Sequence, residues 1–263
     1  MDRPVHLSLE RMSFAVRGLS ILSEVSFEVR KGDLFSLIGP NGAGKTSALN
    51  CISGIYHSIG GRVLLSGRDL TKAKPYEVAA AGIARTFQHA ELFGHMTVLD
   101  NLLVGRHLKL GGGVVSNGFF WGKTMREEIE HRDVVEEIID FLELGKHRKK
   151  RAGDLPYGIQ KIVGLGRALA TEPQILLLDE PSAGMNRQEK EDLARFLLRI
   201  KHEMGMTMVW VEHDMQLVGD LADHLAVLNF GIKIAEGKPE QVLNDPVVVQ
   251  SYLGTTGIMA DAH

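Results

Sequence analysis

The sequence predicts an α/β fold: a parallel sheet covered by helices on both faces, preceded by antiparallel strands and interrupted by a mostly helical insertion. Three observations carry that reading. Apolar runs such as Leu34 to Ile38 and Ile175 to Leu178 are separated by helix-forming stretches, the alternation that builds buried parallel strands. The residues before Leu34 alternate apolar and polar in short stretches with turns. The middle of the chain carries apolar residues at helical spacing beside a row of acids.

Taken in order, Leu7, Leu9, Val25, Phe27 and Val29 alternate with polar neighbours up to the turn Lys31-Gly32-Asp33, which predicts antiparallel strands. The strand Leu34 to Ile38 runs into a glycine-rich loop, and Thr46 to Ser53 reads as a helix. Gly60 to Gly67 reads as a second hairpin. Residues 111–122 form a glycine-rich connection. Beyond it Ile129, Val134, Val135, Ile138, Ile139 and Leu142 recur at helical spacing until Gly145, opposite Glu127, Glu128, Asp133, Glu136 and Glu137. Ile175 to Leu178, Met206 to Val211 and Leu225 to Leu228 are further strands. Asn186 with Glu189 forms a capping-box pattern for a helix whose apolar face is Leu193, Phe196, Leu197, Ile200 and Met204. The basic run His147 to Arg151 reads as a solvated loop.

Composition narrows the function classes. With 263 residues, 44% hydrophobic and 24% charged, the chain is long enough to bury a core without covalent staples. Its one cysteine, Cys51, excludes an internal disulfide and a cysteine-only zinc site. A net charge of -3 supplies no basic field, so no nucleic-acid partner is expected. The N-terminal residues contain no apolar signal-type run, and apolar stretches stay far below the ~18 residues of a membrane span. Work at a membrane is therefore expected to depend on a partner.

Chemistry concentrates where the strands end. Gly39-Pro40-Asn41-Gly42-Ala43-Gly44-Lys45-Thr46 fits the phosphate-loop pattern between a predicted strand and helix, with Ser47 following. Backbone N–H groups of such a loop and the helix N-terminus surround phosphate oxygens. Lys45 is expected to reach the β- and γ-phosphates of a nucleoside triphosphate, and Thr46 to ligate Mg²⁺. At the end of the strand Ile175 to Leu178 stand Asp179 and Glu180, two acids at a costly position unless they serve a cation or a reaction. Asp179 is assigned to Mg²⁺ and Glu180 to general-base activation of water. His213 ends another predicted strand and is placed beside the γ-phosphate. Gln88 is placed to orient water and touch Mg²⁺.

The ordered series GPNGAGKT, Gln88, Leu155-Pro156-Tyr157-Gly158-Ile159-Gln160, ILLLDEPSAG and His213 resembles the ATP-binding subunit of ABC transporters over residues 5–254. Arg85-Thr86-Phe87-Gln88, Leu92-Phe93, Met96-Thr97-Val98, Asn101-Leu102-Leu103-Val104, Tyr157-Gly158 and Tyr252-Leu253-Gly254 narrow the resemblance to LivG-type importer ATPases. Those power uptake of branched-chain amino acids and related small acids or amides. The resemblance implies a P-loop NTPase (RecA-like) core in one domain. Residues 1–90 and 161–254 are expected to form that core with its antiparallel part. Residues 91–160 form a helical subdomain with the signature loop, and 255–263 a tail.

It also implies a nucleotide-sandwich dimer with a second ATPase subunit, itself or a paralogue, in which Tyr157 and Gly158 close on ATP held by the partner. Two polytopic permease subunits are implied as partners, with the apolar neighbourhood after Gln88 docking the permease, and a periplasmic solute-binding protein acting indirectly. The place is the cytoplasmic face of the inner membrane. Three residues depart from the family pattern: Pro156 replaces a serine, Val16 stands where an aromatic meets adenine (Phe14 lies two residues earlier), and Asn186 replaces an aspartate. A soluble ABC-type ATPase would carry a second cassette, a coiled coil or basic extensions, and this chain has one cassette and net charge -3. An exporter ATPase shares every catalytic motif and differs in its partner. A GTPase is disfavoured by the lack of an N-K-x-D motif.

Overall fold

A computed structural model describes residues 3–86, 91–109 and 121–257. Strands β1 (Val5–Val16), β2 (Leu19–Arg30), β4 (Gly60–Leu65) and β5 (Arg68–Asp69) pair antiparallel in the order β2-β1-β4-β5. The second sheet contains β3 (Leu34–Ile38), β6 (Ile83–Thr86), β7 (Ile175–Asp179), β8 (Thr207–Val211), β9 (His224–Asn229) and β10 (Ile232–Gly237). Its order is β10-β9-β3-β8-β7-β6, parallel from β9 to β6. The expected all-parallel sheet thus gains an antiparallel edge, because the turn at Phe230-Gly231 folds β10 straight back onto β9.

Burial follows the two-residue period of each strand. Phe35, Leu37, Ile175, Leu177, Val209 and Val211 face the core shared with α1 (Lys45–Ile52) and the antiparallel sheet. Their neighbours Leu34, Leu176, Leu178, Met208 and Trp210 face the opposite core. That side is covered by α3 (Val98–Gly105), α4 (Trp121–Phe141), α5 (Tyr157–Leu169) and α6 (Arg187–Glu203). A short α2 (Pro75–Ala80) precedes β6, and α7 (Met215–Leu221), α8 (Pro239–Val242) and α9 (Pro246–Gly257) cover the β9 end. A strand buried on both faces must be apolar throughout, which explains why β3, β7 and β8 read as continuous apolar runs.

Several expectations change at their margins. The glycine-rich connection was expected to reach residue 122, but Trp121 and Gly122 already belong to α4; residues 111–120 lie outside the described residues. On α4, Val135, Ile138 and Ile139 are buried in the core shared with α3 and α5, while Ile129 is exposed. Met204, expected on the apolar face of α6, is its exposed C-cap; Gly205, in the left-handed region, turns the chain away. The Asn186 box forms as expected: Asn186 Oδ1 accepts the Glu189 N–H at 3.0 Å and Glu189 Oε2 accepts the Asn186 N–H at 2.9 Å. The basic run does more than sit in solvent, since the Arg148 and Lys150 carbonyls accept the first N–H groups of α3.

Candidate nucleotide site

The adjacent strands β3, β8 and β7 end side by side, and the candidate residues stand just past their carboxyl ends, where α/β sheets bind ligands. After β3 the chain turns through Gly39, where an added Cβ would lie 2.0 Å from the Leu228 carbonyl oxygen. Only glycine fits so close an approach. At Gly44, the left-handed N-cap of α1, a Cβ would press 2.7 Å from Leu22 of β2. The loop is thus clamped between β9 and the antiparallel sheet. No side chain caps α1, so its first N–H groups face outward as anion donors.

Lys45 is buried, and its Nζ donates to the carbonyls of Gly39 at 2.7 Å and Pro40 at 2.9 Å. Burial lowers its pKa, opposed by the charges of Glu180 and Asp179. The Thr46 hydroxyl donates to Asp179 Oδ1 at 3.4 Å across the mouth of the loop. Asp179 is 4% exposed. Its other oxygen accepts Arg85 Nη2 at 2.7 Å, while Arg85 Nη1 donates to Asn50 Oδ1 at 2.6 Å and Ser53 Oγ at 3.1 Å. The Thr46 hydroxyl and the Asp179 carboxylate are hard oxygen donors of the kind that would suit Mg²⁺.

Glu180 follows Asp179 with φ 46, its N–H held by the Val211 carbonyl at 2.9 Å. That left-handed turn swings its carboxylate toward β8, and Oε1 lies 2.7 Å from His213 Nε2. The structure therefore brings together the phosphate loop, Lys45, Thr46, Asp179, Glu180 and His213. Ser47 follows on α1, half-buried. Gln88 lies outside the described residues.

The other candidates stand elsewhere on the chain. Val16 ends β1, exposed on the hairpin whose return strand touches Gly44. Phe14 is buried and stacked on Tyr56 at 4.8 Å, so it is committed to packing. Tyr157 and Gly158 open α5, with Pro156 as its N-cap. An added Cβ on Gly158 would meet Glu189 Oε1 at 2.3 Å, so the glycine also answers a packing demand. Gln160 turns back to donate to the Leu155 carbonyl at 2.8 Å.

Three residues escaped the sequence reading: Arg85, Lys161 and Glu212. Arg85 was legible only as part of a motif. Its one available signal was a cation on a short strand just before Gln88.

Comparison with known proteins agrees with this geometry. The ABC transporter family matches residues 22–183, and the branched-chain amino acid ATP-binding cassette transporter family matches residues 233–257. The high-affinity branched-chain amino acid transport ATP-binding protein BraF of Pseudomonas aeruginosa is 36% identical, over 97% of this chain and 99% of its own. LivG of Escherichia coli K12, of the same description, is 37% identical over the same shares. Among solved structures, the ADP conformation of MJ1267, an ATP-binding cassette of an ABC transporter, superposes with a TM-score of 0.84 at 36% identity, covering 95% of this chain and 99% of that one. A nucleotide-free cassette gives 0.83 at 35%, with the same coverage. With its phosphate loop, strand-end acids and signature helix in this arrangement, the chain belongs to the ATP-binding, ATP-hydrolysing subunits of ABC transporters.

Proposed function

We propose that this subunit drives uptake of branched-chain amino acids or related small acids or amides. The observation that carries the catalytic part is the convergence of Lys45, Thr46, Asp179, Glu180 and His213 at the carboxyl end of one sheet. The phosphate loop from Gly39 through Pro40, Asn41, Gly42, Ala43 and Gly44, with Lys45, Thr46 and Ser47, holds the triphosphate. Asp179 and Thr46, with Gln88, would hold Mg²⁺, which would supply charge neutralisation to the triphosphate.

Glu180 takes a proton from water as its oxygen attacks the γ-phosphorus. The bond to the bridging oxygen breaks, and ADP and phosphate leave. His213, 2.7 Å from Glu180, orients that carboxylate and faces the γ-phosphate. Tyr157 and Gly158 close on the nucleotide of a second ATPase subunit, and the N–H groups opening α5 stabilise its phosphates. Val16 meets adenine as an aliphatic contact, without ring stacking.

An open groove of about 450 Å³ is lined by Ile55, Val78, Phe93 and Val104, of which Ile55, Phe93 and Val104 are exposed. Such apolar exposure suits a permease segment. One of two polytopic permease subunits would sit there, with this chain on the cytoplasmic face of the membrane and a periplasmic solute-binding protein selecting cargo. No helix among the described residues is long and apolar enough to cross a membrane. We divide the chain into the core (1–90 and 161–254), the helical subdomain (91–160) and a tail (255–263), with α5 running across the second boundary.

Pro156 supplies neither a hydroxyl nor an N–H at the start of α5. Pro156→Ser is expected to raise hydrolysis, and an unchanged steady-state rate would count against a phosphate-contacting role for this loop. The whole reading is tested by gentle purification of the tagged chain from its own membranes, with mass spectrometry of its companions. Two polytopic permeases and a second ATPase are the expected result, and ribosomal proteins or no membrane partner would overturn it.

A further inference from the structure

Behind Glu180 and His213 lies a buried charged network that no motif names. Glu212, between the end of β8 and His213, is 2% exposed. Its Oε1 accepts the Ser182 N–H at 3.0 Å and its Oε2 the His213 N–H at 2.8 Å, with the Asp214 N–H at 3.4 Å. Those donors belong to two different loops, one carrying Glu180 and the other His213. Lys161 on α5, also buried, donates to the carbonyls of Glu180 at 3.1 Å and Pro181 at 3.0 Å. Burial lowers the Lys161 pKa, and the charge of Glu212, then that of Glu180, opposes this. A carboxylate is tolerated at such depth only where N–H donors and an opposite charge meet it.

We propose that Glu212 is a positioning residue whose two oxygens staple the Glu180 loop to the His213 loop and thereby hold His213 Nε2 against Glu180 Oε1. Lys161 ties the same loop to the helix that begins at the signature segment. The proposal rests on the reading that Glu180 and His213 carry hydrolysis. The chemistry requires two acceptors, because each oxygen receives an N–H from a different loop. Glutamine keeps one acceptor and turns an NH₂ donor against the other N–H, so Glu212→Gln frees one loop while preserving volume.

The test uses the full-length chain, with Glu212→Gln and Glu180→Gln measured in parallel. Three quantities are read: binding of a fluorescent ATP analogue with Mg²⁺, single-turnover hydrolysis, and amide hydrogen exchange of the native chain. For Glu212→Gln we expect nucleotide affinity within about two-fold of wild type and hydrolysis slowed at least about tenfold. At least one of the Ser182 and His213 amides should exchange faster while those of the phosphate loop do not. Wild-type hydrolysis, unchanged exchange at both amides, or equal losses of affinity and turnover would each overturn the proposal. If Glu180→Gln itself hydrolyses ATP at the wild-type rate, the catalytic reading fails, and the exchange data still report whether Glu212 joins the loops. Should Glu212→Gln not fold, Lys161→Met replaces it: faster exchange at Ser182 with ATP binding retained supports the network, and unchanged exchange overturns it.

Discussion

Glu180→Gln is expected to bind ATP at near wild-type affinity and to hydrolyse it about 10²–10⁴-fold more slowly. The reason is local. The substitution keeps the size of the side chain and its contact with His213, 2.7 Å away in the wild type, but removes the carboxylate that accepts the water proton. The phosphate-binding parts, Lys45 and the open N–H groups of α1, are untouched. ATP binding by equilibrium fluorescence and phosphate release by the same preparation check both halves. Hydrolysis at the wild-type rate would falsify the general-base assignment. Joint loss of binding and turnover would show that Glu180 contributes to nucleotide affinity instead.

Arg85→Leu is expected to lower folding stability by about 3–5 kcal/mol, the range for removing one partner of a buried ion pair. The Arg85 and Asp179 side chains are 8% and 6% exposed, so neither charge is relieved by solvent. Arg85 also holds Asn50 and Ser53 at the C-terminal end of α1, so one side chain joins β6, β7 and the phosphate-loop helix. Leucine fills part of the volume but strands the Asp179 carboxylate. Arg85→Lys recovers only part, because an ammonium lacks the planar fork that meets three acceptors at once. Urea denaturation of both variants decides the matter, and a loss below about 1 kcal/mol for leucine would place the pair among exposed ones.

Much of the site was legible because its chemistry is written in contiguous residues. The phosphate loop needs glycines next to a lysine and a threonine, and the strand-end acids need only an apolar run before them. His213 was legible as a strand-end histidine, though nothing local places it against Glu180. Arg85, Lys161 and Glu212 were not legible as site residues. Each is an ordinary charged residue until β6, β7, β8 and α5 converge. Met204 and Ile129 are exposed for a related reason: helical periodicity describes a face, and only the neighbouring elements decide how far along the helix that face is covered.

By itself the sequence determined the α/β alternation, the phosphate loop, the Asp179-Glu180 pair and the capping box at Asn186. All are set by short-range forces: backbone conformation, hydrophobic period and hydrogen bonds across a few residues. The tertiary structure decided which distant groups share a buried charge and which candidates are committed to packing. Phe14 stacks on Tyr56, Gly158 lies under Glu189, and Asp179 meets Arg85. The last of these depends on the pairing of β6 with β7, and the site as a whole on the order β3-β8-β7-β6, which brings residues far apart in the chain to the carboxyl end of one sheet. Beneath that end of the sheet the dielectric is low, so a buried charge is stable only beside its partner, and the partner comes from the neighbouring strand or helix.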